Sequence, residues 1–201
     1  MKIICIGKNY AKHVKEMGSE IPKEPLFFLK PDSAILPKKH AFFIPDFSRE
    51  IHYELELLIK IKKLGKHIGK KFASSYYSEI GLGIDFTARD LQNECKINGH
   101  PWEKAKAFDH SAVIGSTFYS IDKLNEIHFE LKKNGNLVQQ GNANDMVFNF
   151  DEIIHHVSKF MTLKIGDIIF TGTPEGVGPV KIGDYLEGFL NGNKIIDLNI
   201  K

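Results

Sequence analysis

The run Ile51-His52-Tyr53-Glu54-Leu55-Glu56-Leu57-Leu58-Ile59-Lys60-Ile61 decides how this chain is read. Tyr53, Leu55, Leu57, Ile59 and Ile61 are apolar at every second position, with mostly polar residues between them. That period of two predicts a strand with one buried face. It also sets Glu54 and Glu56 side by side, because residues i and i+2 of a strand project from the same face. Two anions so close repel, and water or a cation must relieve them. The face that carries them, with His52, Lys60 and Lys62, reads equally well as a solvated surface.

Further strands follow from turn chemistry. Asn134-Gly135 separates His128–Leu131 from Leu137–Gln140, and Asn191-Gly192 separates Tyr185–Leu190 from Lys194–Leu198. Asn-Gly suits the type I′ turn that joins antiparallel strands. Ile80–Ile84, with Gly81 and Gly83, predicts a buried strand approached closely by other backbone. Helical spacing is rarer. Met146, Phe150, Ile153, Ile154, Val157 and Phe160 predict a helix over Asp145–Phe160, and shorter ones fall at Lys71–Glu79 and Arg89–Lys96. Residues before 48 carry Pro22, Pro25, Pro31, Pro37 and Pro45 and predict a strand at Lys2–Gly7, a short helix, then extended segments broken by proline. Grouped strands, hairpins and few helices give an α+β fold, with the Pro-rich N-terminal segment packed on the main β body of a single domain, 1–201.

Composition narrows the function. The chain has 201 residues, with 27 basic and 25 acidic groups and a net charge of +2. It is large enough to form a core without disulfides, and so near neutrality that neither nucleic acid nor an acidic membrane is an expected partner. No apolar run approaches the ~20 residues that span a bilayer. The apolar N-terminal stretch is too short for a secretory signal. Cys5 and Cys95 stand far apart with no CxxC, which predicts free thiols in a reducing cytoplasm. HExxH and GxSxG are absent.

Several polar groups can carry chemistry. Asp85 ends the buried Ile80–Ile84 run. It can cap the following turn, or join Glu54 and Glu56 as three carboxylates around one hard divalent ion such as Mg²⁺. His13 and Glu16 are i, i+3 neighbours on the short helix, which lets the carboxylate orient a histidine base, although such pairs are common on exposed helices. Only Arg49 and Arg89 are arginine among many lysines. That skew is either compositional or marks a site for a planar fork. Arg89 and Gln92 are also i, i+3. Lys106 lies between alanines ahead of Phe108, either in a dry setting or as an ordinary surface lysine. In Thr171-Gly172-Thr173-Pro174-Glu175-Gly176-Val177-Gly178-Pro179 the prolines argue against a nucleotide loop. A rigid turn offering backbone N–H groups and the Thr173 hydroxyl to a small carboxylate fits better.

Seven segments in order, GKNYAKHVKEMG, EPLFFLKP, HYELEL, GIDFTARDLQ, PWEKAKAFD, NDMVFNFDEII and GDIIFTGTPEGVGPV, resemble the fumarylacetoacetate hydrolase superfamily. The resemblance is strongest to its small acylpyruvate hydrolase and oxaloacetate decarboxylase branch. It implies a mixed β-sandwich roll, usually homodimeric, and divalent-metal-dependent C–C bond hydrolysis or lysis of small 2-oxo acids. Glu54, Glu56 and Asp85 would then hold Mg²⁺ or Mn²⁺. His13 and Glu16 would activate water from a lid segment. Lys106 would act beside Arg89 and Gln92 on the substrate side, and Gly172 and Thr173 would hold the substrate carboxylate. Lys8 stands where many relatives carry arginine. The alternatives are a dienedioate isomerase or decarboxylase of aromatic breakdown, and a catalytically dead metal-binding partner module.

Overall fold

A computed structural model describes residues 1–124 and 126–201. The strand expected from Ile51 onward is two strands. Ile51–Tyr53 pairs with Thr87–Ala88 and Gly178–Pro179 in a small three-stranded sheet, and Leu55–Lys60 enters a seven-stranded one. The chain changes sheets at Glu54. The expectation of one buried face also requires correction, since Glu54, Glu56 and Leu58 are as buried as Leu55, Leu57 and Ile59. Leu55, Leu57 and Ile59 belong to the main core. Leu58, on the face of the two glutamates, packs with Ile3, Cys5, Ile168 and Phe170 in a smaller second core. Covering on both sides, which a period of two cannot report, makes the carboxylates buried groups.

The seven-stranded sheet is mixed. Leu26–Lys30 lies antiparallel to Ile3–Gly7, which lies parallel to Ile168–Phe170. The order continues through Leu55–Lys60 and Glu79–Asp85 to Ala112–Ile114, with Tyr119–Ser120 also on Glu79–Asp85. Gly83 is required there, because a Cβ would lie 2.6 Å from the Val113 carbonyl oxygen. A four-stranded antiparallel sheet runs Asn136–Asn142, His128–Lys133, Tyr185–Leu190, Asn193–Asn199. Both Asn-Gly turns have positive φ at each residue, 53° and 82° at Asn134-Gly135 and 46° and 79° at Asn191-Gly192, as a type I′ turn needs. The fold is thus α+β with a curled mixed sheet and few helices, as the sequence predicts.

The helices differ from expectation at their starts. The Asp145–Phe160 pattern resolves into a 3₁₀ turn at Ala143–Asp145 and a helix at Phe150–Phe160. Asn149 delays the start through a reciprocal capping box: its side chain accepts from the Glu152 N–H at 3.0 Å, and Glu152 accepts from the Asn149 N–H at 3.0 Å. The Lys71–Glu79 helix is a 3₁₀ segment, Lys70–Tyr76. Arg89–Asn98 closes on left-handed Gly99. The N-terminal segment contributes two strands of the large sheet, the helix Ala11–Glu16, and Phe42, which stacks on Phe86 with centroids 3.9 Å apart. Among the described residues no helix is long and apolar enough to cross a membrane.

Candidate active site

Glu54, Glu56 and Asp85 each bring a carboxylate oxygen to within 4.8 Å of the others. Strand pairing produces this: Glu54 and Glu56 flank Leu55, which pairs with Ile84, so Asp85 arrives beside them from the neighbouring strand. Three buried cations surround the three anions. Lys106 Nζ donates to Glu54 Oε2 at 2.7 Å, Asp85 Oδ2 at 2.9 Å and Thr87 Oγ1 at 2.5 Å. Arg89 donates through Nη1 to Gln92 at 2.6 Å and through Nη2 to Glu54 Oε1. Lys30 Nζ lies 2.7 Å from Asp85 Oδ1. Its hydrogen bonds go instead to Ser111 and the Lys106 carbonyl.

Charge is unevenly settled among the carboxylates. Burial alone would raise Glu54, but the Lys106 ammonium and the Arg89 guanidinium outweigh it and hold the carboxyl well below its usual range. Glu56 goes the other way. Burial and the neighbouring Asp85 and Glu54 charges push it well above the ordinary value, against weaker help from Lys106 and the Gly172 N–H. Burial likewise disfavours the Lys106 cation, yet Asp85 and Glu54 keep it charged and raise its pKa.

The donor set fits a hard dication. It is all oxygen, its three carboxylates converge within 4.8 Å, and burial with the neighbouring Asp85 and Glu54 charges penalises an ionised Glu56 until a cation offsets them. A carboxylate oxygen that already accepts one hydrogen bond retains a lone pair for a cation.

The other sequence candidates converge on the same place. His13 and Glu16 form a pair with Nδ1 2.9 Å from Oε2, and Glu16 Oε1 accepts from the Gly176 N–H at 3.0 Å. His13, Arg89, Gln92, Lys106 and Thr173 line one cavity of about 50 Å³ with the three carboxylates. Gly172 has a different partner from the one the sequence suggested. Its N–H donates to Glu56 Oε2 at 2.7 Å, so it orients a carboxylate of the protein. Its φ of 101° and the 2.7 Å a Cβ would leave to Asn9 Cβ both demand glycine. Gly172→Ala is therefore expected to destabilise the protein by about 1–3 kcal/mol and weaken Mn²⁺ binding, measured by urea denaturation and metal titration; an unchanged midpoint would refute the strain.

Arg89 spends both arms of its fork on protein groups. A lysine reaches one partner where the fork reaches two. Arg89→Lys should weaken metal affinity by about 10–100-fold, the usual effect of disturbing a group that orients a ligand. Mn²⁺ titration checks this, and an affinity equal to wild type would return Arg89 to a matter of composition.

Sequence reasoning missed Lys30, Asn9, Ser111 and Gln139, all buried. Asn9 clamps the site turn to the start of the long helix: its amide donates to the Thr171 and Phe148 carbonyls at 2.7 and 3.0 Å and accepts from the Phe148 N–H at 2.8 Å. Only Lys30, which ends the apolar run Leu26–Leu29, carried a local signal; Asn9, Ser111 and Gln139 have polar neighbours and nothing nearby marks them as buried.

A family model described as fumarylacetoacetate (FAA) hydrolase C-terminal matches residues 2–200. The mitochondrial oxaloacetate tautomerase of Bos taurus is 44% identical over 193 residues, covering 94% of this chain and 87% of that protein. Oxaloacetate tautomerase YcgM of Escherichia coli is 39% identical over 198 residues, covering 96% and 90%. The structure of fumarylpyruvate hydrolase from Pseudomonas aeruginosa, in complex with Mn²⁺ and pyruvate, superposes with a TM-score of 0.92 at 33% identity, covering 100% of this chain and 89% of that one. With the match running almost from end to end, this chain belongs to the fumarylacetoacetate hydrolase family of enzymes.

Proposed function

We propose that this protein is a divalent-metal-dependent enzyme that moves protons on, and cleaves bonds beside, the third carbon of small 2-oxo acids. Oxaloacetate and short acylpyruvates are the substrates that fit. The observation that carries the reading is the buried carboxylate triad in one cavity with His13, whose ring Nδ1 is held by Glu16. Mg²⁺ or Mn²⁺ is the ion that suits an all-oxygen site, and a relative's structure is described as a complex with Mn²⁺ and pyruvate. When bound, such an ion supplies Lewis-acid polarisation of a 2-oxo carbonyl.

The chain's own residues do the rest. Lys106 keeps a charged ammonium at the carboxylates and stabilises negative charge that develops on a substrate oxygen. His13, oriented by Glu16, takes a proton from the third carbon or from a water, and returns it. In keto–enol exchange of oxaloacetate the proton goes back to carbon or oxygen. In acylpyruvate cleavage the deprotonated water attacks the distal carbonyl, the C–C bond breaks and pyruvate leaves as its enolate. The Thr173 hydroxyl faces the substrate carboxylate.

Relatives named as oxaloacetate tautomerases favour enol–keto exchange as the main activity. The fumarylpyruvate hydrolase neighbour favours hydrolysis as the second. The test follows enol-oxaloacetate decay and acylpyruvate cleavage by ultraviolet absorbance, with Mg²⁺, Mn²⁺ or excess chelator. Metal-dependent acceleration of either is expected; none with either metal would overturn the reading.

A further inference from the structure

Gln139 lies on the Asn136–Asn142 strand of the four-stranded sheet, outside every motif that marked the site, yet it is 2% exposed. The register of that strand shifts between Leu137 and Gln139, a bulge of the kind that re-aims a side chain. The bulge carbonyl of Val138 sits against the site turn at Gly176, where a Cβ would come within 2.3 Å of it. From there the Gln139 amide reaches the strand and the turn that carry active-site residues. Oε1 accepts from the Leu55 N–H at 2.9 Å, between the two metal-site glutamates. Nε2 donates to Thr173 Oγ1 at 2.8 Å and to the Pro174 carbonyl at 3.0 Å.

These partners fix which way the amide faces. A backbone N–H can only donate, so it must meet the amide oxygen, and a backbone carbonyl can only accept, so it must meet the amide nitrogen. Thr173 Oγ1 then receives a hydrogen bond from Gln139. Its own proton is left over, and no described residue is recorded as accepting it. Thr173 lines the cavity beside Glu54, Glu56 and Asp85.

We infer that Gln139 is a positioning residue that sets the polarity of Thr173, holding the Thr173 hydroxyl as a hydrogen-bond donor toward the anionic end of the bound 2-oxo acid. The inference rests on the proposed function, because it assumes an anion in that cavity. It assigns the selection of an anionic ligand partly to a strand of the second sheet. The bulge is the device that delivers the amide.

Gln139→Glu is the sharpest probe. A carboxylate of the same shape still accepts from Leu55, but it would also accept from Thr173, turning the hydroxyl proton away from the cavity. The probe ligand is oxalate, a stable dianion with the two adjacent oxygens of a 2-oxo acid, titrated calorimetrically into Mn²⁺-loaded protein. Gln139→Glu and Thr173→Val should each weaken oxalate by about tenfold or more, the effect of losing one hydrogen bond to a charged group. The double variant should be no weaker than either single one, as expected for residues acting through one contact. Thr173→Ser, which keeps the donor, should bind as wild type does, so the Thr173 arm stands even if Gln139→Glu fails to fold. Mn²⁺ binding without oxalate reports whether the carboxylate site is intact.

Wild-type oxalate affinity in Gln139→Glu, or additive losses in the double variant, would overturn the inference while leaving the proposed function in place. Unchanged affinity in Thr173→Val would do the same. Failure of Mn²⁺-loaded wild-type protein to bind oxalate at all would overturn both.

Discussion

Glu56→Gln is expected to abolish metal binding and metal-dependent turnover together while leaving the fold intact. The amide oxygen still accepts from the Gly172 N–H, so the local hydrogen bond survives. What disappears is the anion that a dication needs most, since Glu56 is the carboxylate whose charge the apoprotein tolerates least. Removing a direct ligand should exceed the ~10–100-fold loss usual for outer-shell changes. The apoprotein itself should melt at or above the wild-type temperature. Burial and the charges of Asp85 and Glu54 penalise an ionised Glu56, and a neutral amide carries no such penalty. Thermal unfolding with and without Mn²⁺ separates the effects: wild type gains Tm with the metal by mass action and the variant does not. A variant that keeps both the metal-induced Tm gain and full turnover would sink the assignment of the triad.

His13→Ala should divide the activities by their need for a moving proton. Hydrolysis requires a water deprotonated for attack on the distal carbonyl, and enol–keto exchange requires a proton carried between carbon and oxygen. General-base assistance is worth about 10²–10⁴ in rate, so both should fall by about that factor. Decarboxylation of oxaloacetate needs no attacking water, because carbon dioxide leaves with only a final proton to add, and it should fall less. The three rates measured on one preparation at saturating Mg²⁺ decide the point. Equal loss in all three would make the pair a positioning or closure element, in keeping with the bond from Glu16 to the Gly176 N–H. No loss in any would leave the helix a passive wall.

The hairpins and the same-face glutamates were legible because each is a local property. Asn-Gly adopts positive φ wherever it stands between strands, and both turns do so here. The helix at Phe150 was placed correctly in its body and wrongly at its start. Its apolar spacing runs back to Met146, but the Asn149–Glu152 box is the stronger local signal. The carboxylate triad was only half legible. The spacing put Glu54 and Glu56 together and Asp85 at a strand end, while a solvated face and a helix cap explained the same residues.

The sequence by itself determined the covalent and near-neighbour features: which side chains share a strand face, where the chain turns back, and which helix–carboxylate pair can form at i, i+3. These depend on backbone periodicity and on steric limits within a few residues. Only the tertiary structure decided the electrostatics. Lys30 reaches Asp85 across 55 residues of chain, Lys106 reaches Glu54 across 52, and Gln139 reaches Leu55 across 84. Covering both faces of the large sheet where Leu55–Lys60 meets Glu79–Asp85 turned three ordinary acids into buried groups. Burial removes water, and without water each carboxylate's state is set by whichever distant cation or N–H the fold delivers to it.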